Sequence, residues 1–230
     1  MSNILPDARL SLVASLVRPG ARFADIGTDH AYLPIYLLQR GQIEFAVAAD
    51  VASGPLERAR RNVAAAGLSD RVELRLADGL SGMEGLSLTD IAICGMGGEL
   101  IAAILQAAPF VRVGDVRLIL QPMTRTAELR RYLAAEGFAV LAERYAVAAG
   151  RAYTCLCATY TGEPYAMDAV TAELGSFSLR APEDAAAYAA LLAEREREAA
   201  ARIRGKRVGG ADTLEEETLL AAIAAERERL

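Results

Sequence analysis

The sequence predicts an α/β protein: a mostly parallel sheet wound with helices on both faces, ended by an antiparallel hairpin and followed by an antiparallel helical hairpin. Three observations carry that expectation. Short apolar β-rich runs alternate with helical segments between residues 22 and 136, two long strand-like runs meet at Gly150, and two amphipathic helices flank Gly209-Gly210. Strands that are apolar along their whole length are buried on both faces, which requires a parallel sheet with helices above and below.

Each element has a local cause. From Asp7 to Val17 the residues Leu10, Val13, Ala14 and Val17 recur at helical spacing, and Pro19-Gly20 stops the segment. Strands are then expected at Arg22–Ile26, Phe45–Asp50, Val72–Leu76, Asp90–Cys94 and Arg117–Leu120, with helices near Tyr32–Gln39, Leu56–Ala65, Glu99–Ala107 and Thr126–Glu136. The terminal hairpin is Ala139–Ala148 with Ala152–Thr161. Near Thr161-Gly162-Glu163-Pro164 the chain changes character, dividing it into a domain of residues 1–162 and a second of residues 163–230. Pro182-Glu183-Asp184 places proline and acids at the start of a helix running to about Arg204. Thr213-Leu214-Glu215-Glu216 has the form of a capping box, opening a helix whose stripe is Leu219, Leu220, Ile223 and Leu230.

Bulk composition narrows the function. The 230 residues are 53% hydrophobic and 24% charged, with a net charge of -5, which argues against a uniformly basic nucleic-acid binder but leaves local patches free to meet phosphates. Cys94, Cys155 and Cys157 lack framework or metal-site spacing and, with a single histidine in the chain, read as reduced structural thiols; no metal is expected. Neither a signal segment nor a membrane-length apolar run is present, so a cytoplasmic protein without membrane contact is expected.

Chemistry in an open parallel sheet sits beyond the carboxyl ends of the strands. After the first strand come Asp25, Gly27, Asp29 and His30, in Ala24-Asp25-Ile26-Gly27-Thr28-Asp29-His30-Ala31-Tyr32-Leu33-Pro34. A dinucleotide fingerprint has glycines where this turn has Asp29 and Tyr32, and a carboxylate there repels a pyrophosphate. It tolerates a sulfonium, which turns the reading to S-adenosylmethionine. Asp50, followed by Val51, stands where a carboxylate accepts ribose hydroxyls, and Asp78-Gly79 where one accepts an adenine amino group. Gly95-Met96-Gly97-Gly98 reads as a loop of little bulk, open to substrate or cofactor, or as a tight strand-to-helix turn, and the two can hold together; Gln121-Pro122-Met123 ends the fifth strand. The chain has no hydrolase elbow, phosphate loop or Asn/Asp-Pro-Pro-aromatic run.

Together, ADIGTDHAYLPIYL, AADVASGPLERARRNV, RVELRLADGL, DIAICGMGGELIAAIL and LILQPMTRTAELRRYL resemble the bacterial tRNA (adenine-22 N1)-methyltransferase family, from about Asp7 to Thr161 and in order. The resemblance implies a Rossmann-like class I methyltransferase domain, S-adenosyl-L-methionine as cofactor, tRNA as substrate and a C-terminal coiled-coil domain. It places cofactor contacts on Asp25, Gly27, His30, Asp50, Asp78 and Gly95, with Val51 and Gly79 beside them, and the catalytic carboxylate on Asp29. Substrate contacts are expected from Met96, Gly97, Gly98, Gln121 and Pro122. One position departs: where the family usually has Asn after Gln-Pro, this chain has Met123. Arg202, Arg204 and Arg207 offer an RNA patch on the first hairpin helix, although the interleaved Glu194, Glu196 and Glu198 suit a salt-bridged surface equally. Methylation of another nucleobase or a small molecule, or a non-catalytic cofactor-binding scaffold, remain open alternatives on these residues.

Overall fold

Alternating apolar strands and helices place β1 (Phe23–Ile26) in the middle of a sheet whose two faces are both covered. A computed structural model describes residues 7–112 and 115–230. Around β1 lie β2 (Ala46–Asp50), β3 (Val72–Leu76), β4 (Asp90–Gly97), β5 (Arg117–Thr124), β6 (Phe138–Ala148) and β7 (Arg151–Tyr160), in the order β3-β2-β1-β4-β5-β7-β6. The first five strands are parallel, and β7 joins β5 and β6 antiparallel. The strand order reverses between β1 and β4, which opens a crevice at their carboxyl ends.

The helices divide between the faces. Against one pack α1 (Ala8–Leu16), α2 (Tyr32–Gln39) and α3 (Ser53–Ala65), through Val13, Leu37, Ala59 and Val63. On the other lie α4 (Gly98–Gln106) and α5 (Thr126–Ala135), through Ile101, Leu105, Leu129 and Leu133. Burying each such side chain is worth about 1.5–3 kcal/mol, so the double cover stabilises the sheet. Asp7 caps α1 by accepting the Leu10 amide at 2.8 Å.

Three local expectations need correction. Gly95-Met96-Gly97-Gly98 is not a free loop. β4 continues through Gly97 across a bulge, pairing Met96 with Pro122 and Gly97 with Thr124, and Gly98 begins α4. The capping box at Thr213 does not form. Glu216 points back to Lys206 at 2.8 Å, while Asp212 accepts the Leu214 amide at 3.0 Å. Finally, α7 (Ala185–Val208) runs past Arg204, before α8 (Leu214–Glu228), because the expected glycine break acts only at Gly209.

The segment after residue 162 shares a core with the sheet. Tyr145 of β6 packs with Leu174, Tyr188, Leu192 and Ile223, the first from α6 (Ala169–Leu174). Beneath that cluster Arg130 is 1% exposed and grips Glu143 through two hydrogen bonds, at 2.8 and 3.2 Å. Its third arm donates to the Ala172 carbonyl at 2.8 Å, and Tyr145 donates its hydroxyl to Glu143 at 2.7 Å. Gly175 has φ +83, and any Cβ there would collide with the Glu143 carboxylate. On the next residue of β6, Arg144 binds Asp184 at 2.6 Å.

Candidate functional site

A cavity of about 710 Å³ opens at the carboxyl ends of β1 and β4. Its floor is the turn after β1, and α1 supplies the opposite wall through Asp7, Arg9 and Leu10. Of the expected residues, the structure brings Asp25, Gly27, Asp29, His30 and Gly95 into this one space. Gly27 has φ +72, the left-handed region that favours glycine, and a Cβ there would also displace the Met96 methyl.

Asp25 is the most unusual group of the cavity. It is 5% exposed, accepts the Thr28 hydroxyl at 2.6 Å, and has no cation within ion-pair distance among the described residues. Burial pushes its carboxyl from 3.8 up to about 6, against the pull of the Thr28 hydrogen bond and the Arg9 charge. A raised carboxyl favours the folded state only while protonated, so its support is complete below pH 4 and is lost as pH rises through 6. At neutral pH the charged form therefore costs about 3 kcal/mol. Asp25→Asn keeps an acceptor for Thr28 and should exceed the parent in stability by about 2–3 kcal/mol at pH 8 but not at pH 4. Urea midpoints at the two pH values measure the gap, and a gap independent of pH would contradict this account.

The turn itself is strained. Asp29 and Ala31 hold φ +48 and +57, left-handed values that cost non-glycine residues about 1 kcal/mol or more each. Asp50 holds the turn from β2, accepting the Asp29 amide at 3.3 Å and the Ala52 amide at 2.9 Å. The Asp29 carboxylate is fixed between the Arg58 guanidinium at 3.3 Å and His30 Nε2 at 3.4 Å, yet its side chain stays 58% exposed. The His30 ring stacks on Tyr32 with centroids 5.1 Å apart and planes 10° from parallel, and Asn62 donates to the His30 carbonyl at 2.9 Å. A carboxylate, an imidazole and an aromatic ring thus stand at the mouth of the cavity.

The remaining expected residues scatter. Val51 is exposed beside Asp50, while Asp78 and Gly79 line a separate space of about 210 Å³ against Ile104. Gly97 approaches the Thr124 hydroxyl, and Gly98 is needed for packing, since a Cβ there would collide with the Arg125 carbonyl oxygen. Gln121 is fully buried, accepting from Arg9 at 2.9 Å and donating to the Pro122 carbonyl at 2.9 Å. Met123 replaces the usual amide with a thioether 3.6 Å from the Gln121 nitrogen. Arg202 and Arg207 face acids of α8, at 3.8 Å from Glu216 and 3.0 Å from Glu217, and Arg204 lies on the same helix with no ion pair among the described residues. No metal-binding group of acids, histidines and cysteines occurs among the described residues, and no helix there is long and apolar enough to cross a membrane.

Arg9 was invisible to sequence reasoning. Helical periodicity in α1 marks only its apolar face, and nothing local says that a polar residue of that helix crosses to Gln121. The same holds for Arg58 and Thr28, whose partners are far away or concealed in the turn. Cys94 lines the cavity too, but burial and the nearby Asp25 charge push its thiol far up, leaving little thiolate.

Comparison with known proteins gives concordant results. The model of the methyltransferase domain family matches residues 6–156. A curated relative, tRNA (adenine(22)-N(1))-methyltransferase of Bacillus subtilis, is 35% identical over 175 residues, 76% of this chain and 74% of that protein. The solved structure of the Bacillus subtilis m1A22 tRNA methyltransferase TrmK superposes with a TM-score of 0.78 at 31% identity, over 98% of this chain and 97% of that one. A Streptococcus pneumoniae structure in complex with S-adenosyl-L-methionine gives 0.81 at 34% identity, over 96% and 99%.

Proposed function

Because the chain belongs to the tRNA (adenine(22)-N(1))-methyltransferase family, we propose that it transfers the methyl group of S-adenosyl-L-methionine to N1 of adenine 22 in tRNA. The observation that carries this reading is the cavity at β1 and β4, in which buried Asp25 and rim Asp29 replace a phosphate cradle with negative charge. Such a site suits a ligand carrying cationic sulfur and nitrogen. Asp25, without an ion-pair partner among the described residues, fits the ammonium of the methionine moiety, and Arg9 on the opposite wall fits its carboxylate. Gly27 and Gly95 leave room between them, His30 lines the rim, and Asp50 is placed to accept ribose hydroxyls with the lone pairs its two amide partners leave free. Asp78, Gly79 and Val51 suit the adenine end only if the ligand extends out of this cavity along β3.

The cofactor supplies an electrophilic methyl on sulfur. Adenine N1 has an in-plane lone pair to attack it, so the protein must chiefly place the two in line, an effect worth about 7–11 kcal/mol in well-oriented systems. N1 methylation leaves the base cationic, and Asp29 at the cavity mouth offers it a counter-charge held in position by Arg58 and His30. N1 lies on the Watson–Crick edge, so the base must be unpaired or extruded to enter. Gln121 is buried at the end of β5 and bears on the cavity only through its bond to Arg9, while Pro122 lies beyond it, paired with Met96. The test is mass spectrometry of nucleosides from unmodified tRNA incubated with protein and labelled cofactor. We expect 1-methyladenosine at position 22, lost when the transcript carries guanosine there; label confined to another nucleoside or to small molecules would reject the assignment.

A further inference from the structure

Resting on that reading, we propose that the backbone of tRNA beside the target adenosine runs in a basic groove between the end of β5, the start of β7 and α7, gripped by Arg125, Arg151 and Arg195. The groove has a volume of about 240 Å³, and Pro122, Met123 and Thr124 form one wall. Those residues directly follow Gln121, which is bonded to Arg9 of the catalytic cavity, and they pair with β4, whose end lines that cavity. The adjacent ends of β4 and β5 thus put the groove on the side of the cavity that the β5 end faces.

The side chains are those that hold nucleic-acid backbones. Arg125 sits at φ +58 just before α5, with its side chain 61% exposed and a single surface partner, Glu128, at 3.1 Å. Arg151 is exposed at the hairpin turn, has no ion pair among the described residues, and lies 6.0 Å from the Tyr153 ring that also lines the groove. Arg195 has a buried Nε without a hydrogen-bond partner among the described residues. Guanidinium groups beside a half-buried ring suit phosphates and an unstacked base together. The two acids of α7 in the groove are engaged, Glu194 by the Ala152 amide at 3.0 Å and Glu198 by Arg195 at 2.7 Å.

Most of the alternative patch is already paired with acids of α8, Arg204 excepted. Arg202, Lys206 and Arg207 face Glu216 and Glu217 across the helical hairpin, so a phosphate there competes with acids already in place. The test measures tRNA affinity against salt for Arg125→Gln/Arg151→Gln, beside Arg202→Gln/Arg204→Gln/Arg207→Gln. Each lost phosphate contact lowers the salt slope by about 0.7–0.9. We expect the double variant to bind tRNA about tenfold more weakly with a slope reduced by about 1.5, cofactor affinity unchanged, and the triple variant to keep the parent slope. Unchanged tRNA binding in a double variant that still binds cofactor would overturn the groove, as would a loss confined to the triple variant. Should the double variant fail to fold, Arg151→Gln on the exposed turn reads the same contact with half the slope change. A parent protein that leaves adenine 22 unmethylated would take down the functional reading, whereas methylation with an unaffected double variant would take down the groove alone.

Discussion

In urea, Arg130→Ala should lose about 3–5 kcal/mol of stability, the largest change expected from any single substitution at this fold's junction. The side chain is 1% exposed and its partner Glu143 is 2% exposed, so truncation strands a carboxylate where no water can reach it. Tyr145 would still donate to that carboxylate, but a phenol does not neutralise it. The Ala172 carbonyl would also lose its donor, loosening α6. Removing both charges is a different matter. Arg130→Met/Glu143→Leu fills much of the space without an orphaned ion, and should recover most of the loss. Equal destabilisation of single and double variants would show that the pair matters through shape, not charge.

Asp29→Asn should lower kcat by about 10²–10³-fold while changing cofactor affinity less than threefold, measured by single-turnover methylation and equilibrium binding. Asparagine is the informative replacement because residue 29 holds φ +48, a conformation that asparagine adopts readily and alanine does not. Asp29→Ala would mix loss of charge with collapse of the turn, and through its amide would disturb Asp50 as well. Matched losses in kcat and cofactor affinity for Asp29→Asn would make this carboxylate a binding group.

Much of the architecture was legible because it follows from local pattern. The central parallel strands are near-continuously apolar and the acids stand at strand ends, both of which a linear reading captures. What escaped depends on partners distant in sequence. Arg9 meets Gln121 across 112 positions, and Arg130 reaches both Glu143 and Ala172. The Gly95–Gly98 stretch read as an open loop or a tight strand-to-helix turn, and a bulged pairing with β5, distant in sequence, decides for the turn. Thr213 had the composition of a capping box, but the basic end of α7 drew Glu216 away from it. The cations of α7 were visible as charge, whereas the pairing of Arg202, Lys206 and Arg207 with acids of α8 was not.

Tyr145 has a bearing on how the chain is made. Its ring belongs to a cluster completed by Tyr188, Leu192 and, from the final helix, Leu219 and Ile223. During synthesis the parallel strands emerge first and have their helical covers to hand. β6 must instead wait for nearly the whole remaining chain before its outer side is sealed. The helical hairpin is therefore a late clasp on the nascent enzyme: a chain cut before α7 would hold the parallel strands with their covers, while Tyr145 of β6 still lacked Tyr188 and Leu192.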